Sequence, residues 1–340
     1  MNLELHSNRF LVCRPDRLGD VTLSTPFASV LKNAFPESEV YYLVREQTAA
    51  VFENNPYVDK ILFFESKNKK SETIFTLAKQ LRPLGITHAF QLIPNEQITY
   101  AMFLAGIPYR SGVGNKLFQF LTNTKSVYRR KYEQSRNEGD YCLDHLRKIG
   151  IPVENPLPRI YLSDAEKKII AEKKAALGTG KKAIVGVHVT SGNSAPNLKP
   201  EEYQLLLEKL SGYGDLAVVN TDLEKVSGMK DLPEVDYINR GTTLRESILN
   251  YAALDWLISA STGPMHVSAA LGVRTLSLFC PLPACQPALW GPMNPAARFI
   301  LPDEGYCARE CPGDPHICTF SGKGGIDAER VADILRQQIV

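Results

Sequence analysis

The segment Arg17-Leu18-Gly19-Asp20 combines a glycine turn with a carboxylate that could accept a proton. It follows the apolar run 10–13, which is typical of a buried strand, and it precedes an apolar-periodic helical segment. In a parallel sheet such a turn lies at the carboxyl edge, where ligands bind. Asp20 at a helix start is favoured in its ionised form and could remove a proton from a hydroxyl group. An ordinary N-cap aspartate is the alternative.

A second candidate site is the segment Ser261-Thr262-Gly263-Pro264-Met265-His266, which again joins a predicted strand to a helix rich in small residues. Pro264 suits the first turn of that helix. Free backbone N–H groups at a helix start, together with two hydroxyls, can bind a phosphate. A βα loop whose hydroxyls only cap the helix fits the same residues.

The third segment, 188–194, ends another predicted strand and carries hydroxyls at Thr190 and Ser191, with Lys199 a few residues later. Hydroxyls and a cation near a helix start could neutralise a diphosphate leaving group. His188 at the strand end is better explained as a buried imidazole with hydrogen-bond partners than as a catalytic group.

Near the carboxyl terminus Cys307, Cys311, His316 and Cys318 offer thiolates and an imidazole that could bind zinc. Their spacing matches no standard zinc motif, and reduced loop cysteines are the alternative. We therefore expect no metal and no cofactor. Seven cysteines, an odd number scattered along the chain, do not indicate a disulfide framework.

The composition excludes several classes of protein. A net charge of +2 does not suit a general nucleic-acid binder, so we expect no nucleic-acid partner. We find no secretory signal and no apolar stretch of transmembrane length, which predicts a cytoplasmic protein. There is no P-loop and no G-x-G-x-x-G after a strand, and the absence of any D-x-D pair disfavours a metal-held diphosphate. Basic residues at 67, 69 and 70 and at 129–131 form either a solvated face or a contact for an anionic acceptor or an acidic membrane surface.

These segments need a scaffold, and the pattern of the chain supplies one. Short apolar runs alternate with helical patterns in residues 10–93 and again in 183–279, which predicts two α/β halves with parallel sheets. The proline-rich stretch 151–162 and the capping box at 163–166 indicate a connection between them. We expect Rossmann-like domains at 1–160 and 161–325 that face each other across a cleft. The amphipathic helix in 326–340 is expected to pack back toward the N-terminal domain. Pattern alone equally allows a dehydrogenase or a two-lobed binding protein.

Several longer segments carry a resemblance to a known family. The chain resembles the family-9 glycosyltransferases, the lipopolysaccharide heptosyltransferases, over nearly its whole length. The matching segments are FLVCRPDRLGDVTLSTPFASVLKNAFPESEVYYLV, NNPYVDKILFF, AGIPYRSGVG, GTTLRESILNYAALDWLISASTGPMHVSAALGVRTLSLFCP and ALWGP. The combination of these segments in order is specific, whereas each alone is not.

The resemblance implies the GT-B fold and inverting transfer of heptose from ADP-heptose to the inner core of lipopolysaccharide, with peripheral contact to the inner membrane. Asp20 matches the catalytic base. The residues that match or fall near donor-binding positions are Thr190, Ser191, Lys199, Thr242, Ser261, Thr262, Gly263, Pro264 and His266. The domain at 1–160 would bind the acceptor, and the domain at 161–325 the nucleotide sugar. The acceptor side would comprise Arg17, Gly19, Lys67, Lys69, Lys70 and Arg110.

Three positions depart from the family pattern. Ser261 stands where the family usually has Asp, Asn197 where it has a phosphate-binding lysine, and Cys280 where it has glycine. These departures leave open another nucleotide sugar as donor, or a non-catalytic relative that binds nucleotide or lipopolysaccharide core. A sugar-nucleotide epimerase of similar fold is a further alternative.

Overall fold

The structure, a computed structural model, describes residues 8–65, 67, 69–129, 136–154 and 157–339. Its internal contacts divide the chain into two compact units, Met1–Tyr161 and Leu162–Val340. Each unit contains a six-stranded sheet in which all recorded neighbours run parallel. The predicted α/β class with two Rossmann-like units is therefore confirmed. The assignment of one unit to the acceptor and the other to the nucleotide sugar remains a prediction.

The sheet of the first unit has the strand order β3-β2-β1-β4-β5-β6. Its central strands are buried on both faces, which explains why they read as continuous apolar runs rather than alternating ones. The strands are β1 Arg9–Cys13, β2 Glu39–Val44, β3 Lys60–Phe63, β4 His88–Gln91, β5 Tyr109–Val113 and β6 Lys125–Val127.

Helices follow most of these strands, as a parallel sheet requires. Pro26 starts a new helix after a short break, so the apolar-periodic segment forms two helices instead of one. The helices are α1 Leu18–Leu23, α2 Pro26–Ala34, α3 Lys70–Leu81, α4 Glu96–Leu104, α5 Leu117–Leu121, α6 Glu138–Cys142 and α7 Asp144–Lys148, with 3₁₀ helices at Glu46–Phe52 and Arg82–Leu84.

The second unit repeats this design with the strand order β12-β11-β10-β7-β8-β9. Its strands are β7 Ala183–His188, β8 Leu216–Asn220, β9 Val235–Tyr237, β10 Trp256–Ala260, β11 Arg274–Leu278 and β12 Arg298–Ile300. Its helices are α8 Asp164–Gly178, α9 Pro200–Gly212, α10 Leu244–Ala252, α11 Gly263–Ala270, α12 Pro287–Trp290, α13 Tyr306–Arg309 and α14 Ala328–Ile339. The predicted capping box is present at the start of α8, where Ser163 and Glu166 bond each other's backbone.

The last helix, α14, packs within the second unit, and the expectation that it also packs back toward the N-terminal domain remains a prediction. Its buried stripe of Ala328, Val331, Ala332 and Leu335 belongs to the core of the second unit, where α14 packs on α9. The spacing of this stripe places all four side chains on one helix face. This face of α14 is therefore buried in the second unit.

Both sheets have a point at which the strand order reverses. In the first unit this point lies between β1 and β4, and in the second between β7 and β10. In open parallel sheets ligands bind beside the carboxyl ends of the strands at such points. Among the residues that the structure describes, no helix is long and apolar enough to cross a membrane.

Candidate functional site

The loops that follow β1 and β4 meet at the switch point of the first unit. Arg14, the first residue after β1, donates from Nη1 to the backbone oxygen of Leu92, the first residue after β4, at 2.9 Å. Arg14 is 2% exposed although it carries a charge. This arginine therefore joins the two loops where a ligand is expected.

Asp20 is the third residue of α1, and its carboxylate accepts a hydrogen bond from Nη2 of Arg14. The N-cap is Arg17, and no side chain caps the helix, so the alternative of an N-cap aspartate is wrong. The Asp20 side chain is 17% exposed, so its carboxylate is partly accessible to solvent. Gly19 is buried in the same turn, while the Arg17 side chain is exposed.

A buried charge network supports this pair. Oε1 of Glu138 lies 3.2 Å from Nη2 of Arg14 and 2.6 Å from Nη1 of Arg129. Arg129 also donates from Nη2 to Leu92 O at 3.2 Å. A buried charge is tolerated only when it is paired and hydrogen-bonded, as these charges are. The sequence alone gave no indication of this network, because Glu138 lies 124 residues from Arg14.

The environment of Asp20 raises the pKa of its carboxyl above the ordinary value. Burial is the main cause, and the negative charges of Asp16 and Glu138 act in the same direction. The Arg14 guanidinium opposes them by favouring the ionised form. A carboxylate of raised pKa binds a proton more strongly and is a better general base near neutral pH.

The predicted acceptor lysines lie at the same edge of the sheet, between β3 and α3. The Nζ atom of Lys67 is 2.9 Å from Glu65, and Lys70 pairs with Glu96 at the start of α4. Lys69 is the N-cap residue of α3. These cations lie two strands away from β1 in the sheet order, and two of them already pair with carboxylates.

Arg110 takes a different position from the other predicted acceptor residues. It lies early in β5, opposite Ala89, and its guanidinium donates to Ile107 O before the strand and to Thr122 O at 2.5 Å. The guanidinium therefore bonds backbone carbonyls away from the carboxyl edge. In the basic run 129–131, Arg129 is turned into the buried network, and residues 130 and 131 lie outside the described residues.

In the second unit the loops after β7 and β10 meet in the same way. The hydroxyl of Ser194 donates to the backbone oxygen of Ser261 at 3.0 Å. The tail also reaches this region, since Asn197 N donates to Cys318 O at 3.2 Å. Two of the candidate segments, 188–194 and 261–266, are thus brought together at the second switch point.

The N-terminus of α11 is open. Thr262 is its N-cap residue, but its side chain makes no capping hydrogen bond. Pro264 has no N–H, and the Thr262 side chain does not cap the other N–H groups of the first turn, an arrangement that could bind an anion. His266 is buried in this turn, and burial lowers the pKa of its imidazole to about 4. Its ring is therefore neutral at pH 7, and Nδ1 has no hydrogen-bond partner among the described residues.

The loop after β7 is fixed by a residue that the sequence did not single out. The buried carboxylate of Asp222 accepts from Val189 N at 2.9 Å, from Thr190 N at 2.9 Å and from the Thr190 hydroxyl at 2.7 Å. His188 is buried, and its Nδ1 lies 3.2 Å from Thr221 O, as expected of a buried imidazole with hydrogen-bond partners. Asp222 could have been suggested only by its place just after a predicted strand.

Asn197 has a structural role in the same loop. Its Nδ2 donates to Val189 O at 2.6 Å, and its Oδ1 accepts from the Tyr203 hydroxyl at 2.6 Å. The amide therefore cannot take over the phosphate contact of the lysine that the family has at this position. Lys199 is the exposed N-cap residue of α9, and within the described residues its ammonium has no carboxylate partner.

The remaining donor candidates lie at or near this edge. Ser191 is half-buried in the loop after β7. The Thr242 hydroxyl donates to Asn239 O at 2.9 Å and lies 2.8 Å from the Ser247 hydroxyl, which places it at the start of α10. Asn239 in turn bonds Thr221 O, so the loops after β8 and β9 form one hydrogen-bonded rim.

The cysteine-rich tail does not form the zinc site that its spacing allowed. All seven cysteines are free thiols, and within the described part of the chain no group of three or more His, Cys, Asp or Glu side chains is arranged to hold a metal ion. The Cys311 thiol interacts with the thiols of Cys307 and Cys318. The imidazole of His316 is directed elsewhere, with Nδ1 3.2 Å from Asn193 O.

Comparison with known proteins relates this chain to glycosyltransferases in both sequence and structure. A family model described as glycosyltransferase family 9 (heptosyltransferase) matches residues 102–312. A Haemophilus influenzae protein named only as a glycosyltransferase is 27% identical over 307 residues, which cover 86% of this chain and 88% of that protein.

Two solved structures share the fold. A family-9 glycosyl transferase from Veillonella parvula superposes with a TM-score of 0.78 and 23% identity, covering 99% of this chain and 98% of that one. The E. coli ADP-heptose lipopolysaccharide heptosyltransferase II superposes with a TM-score of 0.73 and 18% identity, covering 97% and 98%. At these identities the likeness concerns the fold.

Proposed function

The chain belongs to glycosyltransferase family 9, the heptosyltransferases, and from this premise we propose that it transfers heptose from ADP-heptose to the inner core of lipopolysaccharide with inversion. Asp20 is the general base, and no divalent metal takes part. The observation that carries the proposal is the partly exposed Asp20 carboxylate at the switch point, with its raised pKa and its bond to buried Arg14.

The proposed reaction is a single displacement. Asp20 removes the proton of the acceptor hydroxyl, and the oxygen forms a bond to the anomeric carbon of the donor sugar. The bond between that carbon and the diphosphate oxygen breaks on the opposite face, which inverts the configuration and releases ADP. The proton remains on Asp20 until solvent accepts it, so charge and atoms balance.

The second unit supports binding of the donor diphosphate. The uncapped start of α11 offers backbone N–H groups and the Thr262 hydroxyl, and Lys199 offers a positive charge at the start of α9. Neutral His266 can donate a hydrogen bond but cannot supply a positive charge at pH 7. Stabilisation of the leaving group by helix ends and side chains fits the absence of any D-x-D pair.

The name of the E. coli structure, with a TM-score of 0.73, supports ADP-heptose as the donor. A thermal-shift comparison of ADP, UDP, GDP and CMP tests it, because a ligand that prefers the native state raises the melting temperature. We expect the largest shift with ADP. A larger shift with UDP would replace ADP-heptose by another nucleotide sugar, and inhibition by EDTA that magnesium reverses would contradict the metal-free mechanism.

The catalytic role of Asp20 is tested by transfer from ADP-heptose to a deacylated lipopolysaccharide acceptor. We expect Asp20→Ala to lower kcat by about 10²-fold or more, the scale of a general base. Asp16→Asn is the matched control, because Asp16 is a carboxylate in the same loop that also lies near Arg14, with 3.8 Å between Asp16 Oδ2 and Arg14 Nε. Asp16→Asn should retain most activity. Equal rates for Asp20→Ala and the wild type would remove Asp20 from the mechanism.

A second candidate function is a non-catalytic relative that binds nucleotide or lipopolysaccharide core. The involvement of Asn197 in loop hydrogen bonds favours it, because the family's phosphate lysine has no direct replacement at that position. The two functions separate in one assay. Binding of ADP without any transfer by the wild-type chain would support the non-catalytic relative.

The proposed acceptor is anchored in a membrane by its lipid part, so the enzyme would work at a membrane surface on the cytoplasmic side. The described chain contains no spanning helix, so a peripheral contact is the form of association that we infer.

A further inference from the structure

Helix α5 of the first unit has an inverted arrangement of side chains. Leu117, Phe120 and Leu121 are 74%, 82% and 60% exposed, while the polar Gln119 between them is 1% exposed. Positions 117, 120 and 121 share one helix face, and water-exposed helices normally place polar residues there. This face is therefore an unusual apolar surface on the unit.

Hydrogen bonds of the Gln119 side chain hold α5 in this orientation, with its polar residue inward. Gln119 accepts from Lys116 N at 2.9 Å through Oε1 and donates from Nε2 to Val113 O at 3.0 Å. Gly112 makes room for this amide, since a Cβ there would lie 2.6 Å from Nε2. The buried glutamine holds the three apolar side chains outward.

The surface continues onto the end of α4. Phe103 is also exposed and lies 5.4 Å from the guanidinium carbon of Arg110, which donates to Thr122 O at the end of α5. We call the exposed side chains of Phe103, Leu117, Phe120 and Leu121 the α5 patch. Contiguous exposed apolar surfaces of this kind mark contacts with other proteins or with membranes.

The charges around the α5 patch favour a membrane over an apolar protein surface. Residues 97–129 contain no Asp or Glu at all. Lys116 and Lys125 flank α5, both are exposed, and the exposed Arg82 bonds Leu104 O beside Phe103. Apolar side chains that insert and cations that surround them are the combination that binds anionic lipid at the bilayer interface.

We propose that the α5 patch is the docking surface of this chain for an anionic phospholipid bilayer. The apolar side chains enter the headgroup region, and the surrounding cations contact lipid phosphates. This docking surface adds a membrane partner to the proposed function. It rests on that function only in assuming that the acceptor is anchored in lipid. Its binding to lipid can be measured without any transfer reaction.

The experiment is co-sedimentation of the full chain with vesicles of phosphatidylglycerol and phosphatidylethanolamine, compared with vesicles of phosphatidylcholine. We expect binding to the anionic vesicles that weakens as salt is raised. The double variant Leu117→Ser with Phe120→Ser should bind at least tenfold more weakly. Lys116→Gln with Lys125→Gln should bind more weakly and lose much of the salt dependence.

The matched control is Leu205→Ser with Leu223→Ser, which removes two leucines that are 53% and 52% exposed in the second unit. This control should bind vesicles as the wild type does, and circular dichroism should show all variants folded. Equal binding by the Leu117/Phe120 variant and the control overturns the proposal. The proposal is also overturned if the wild-type chain does not bind anionic vesicles. The same holds if sedimentation velocity shows that the wild-type chain dimerises through the α5 patch and it binds no lipid.

Activity separates this proposal from the proposed function. If both hold, the Leu117/Phe120 variant transfers to a soluble deacylated acceptor at the wild-type rate but transfers more slowly to an acceptor embedded in vesicles. If the chain has no transferase activity, the vesicle binding still decides the fate of the docking surface.

Discussion

Replacement of Glu138 by Gln tests whether the buried network sets the proton affinity of Asp20. The substitution keeps the shape of the side chain and removes its negative charge. Both carboxylates contact the same nitrogen, Nη2 of Arg14, so Glu138 now raises the pKa of Asp20 by direct repulsion. Without that charge, Arg14 can also favour ionised Asp20 more strongly. The pKa of Asp20 should fall.

The strength of the repulsion follows from the geometry. Two carboxylate charges that share one guanidinium nitrogen lie about 5 Å apart, and at an effective dielectric constant near 20 they repel by roughly 3 kcal/mol. Asp20 is 17% exposed, so solvent screens part of that energy, and the remainder should lower the pKa of Asp20 in Glu138→Gln.

The assay is the dependence of kcat/KM on pH, whose acid limb reports the pKa of the essential base in the free enzyme. A base must be ionised, so activity is lost as pH falls through its pKa. The acid limb of Glu138→Gln should therefore move to lower pH, and the plateau should fall modestly because the base is weaker. The variant also removes the carboxylate that pairs with Arg14 and Arg129, at a cost of about 3–5 kcal/mol in stability.

The control is Glu166→Gln, which breaks a comparable ion pair with Arg245 in the second unit, at 2.7 and 2.8 Å. It should lower stability without moving the acid limb. An acid limb that stays in place in a folded Glu138→Gln enzyme, or that moves upward, would refute the electrostatic reasoning.

Two further predictions concern stability. Asn197→Ala should lower the free energy of unfolding by about 2–4 kcal/mol, measured with urea, because it removes the acceptor of the Tyr203 hydroxyl and the side-chain donor to the Val189 carbonyl. Hydrogen bonds from Arg245 lower the pKa of Glu166 from 4.5 to about 2. A depressed carboxyl pKa stabilises the fold above about pH 4.5, and this contribution disappears as pH falls toward 2. After allowance for solvent screening it should amount to about 1–2 kcal/mol, and Glu166→Gln should lack this part of the pH dependence.

Further variants and pH-dependent measurements test the roles of Asn197 and of the Glu166–Arg245 ion pair. Asn197→Asp keeps the acceptor for Tyr203 but places a carboxylate oxygen against the Val189 carbonyl, so it should be at least as destabilising as Asn197→Ala. A loss below about 0.5 kcal/mol for Asn197→Ala would show that water replaces the amide. Parallel stability curves for the wild type and Glu166→Gln between pH 5 and 2 would show that the ion pair with Arg245 contributes nothing.

The positions of the candidate loops could be predicted well from the sequence. The apolar run before Arg14 and the one before Thr190 each form a buried parallel strand, and the polar segments that follow them lie at the carboxyl edge. Parallel strands have all their carboxyl ends on one side, so alternation of strand and helix was enough to place Asp20, Thr190 and Ser261 on such edges.

Other features could not be predicted. In the sequence LFQFL at 117–121 the glutamine is buried and both leucines are exposed, which the sequence alone does not indicate. Arg110 was expected at the acceptor site, but its guanidinium bonds backbone carbonyls on the other side. Which face of a short helix is buried depends on neighbouring elements, here on the gap that Gly112 leaves.

Local patterns of residues predict the succession of strands and helices, and with it the two sheets and the edge on which each candidate loop lies. The partners of each side chain, in contrast, depend on the complete fold. Glu138 reaches Arg14 across 124 residues, and Asp222 reaches Thr190 across 32. The pKa of Asp20 and the exposure of α5 depend on such distant neighbours and on how much water they exclude, and no local pattern encodes either quantity.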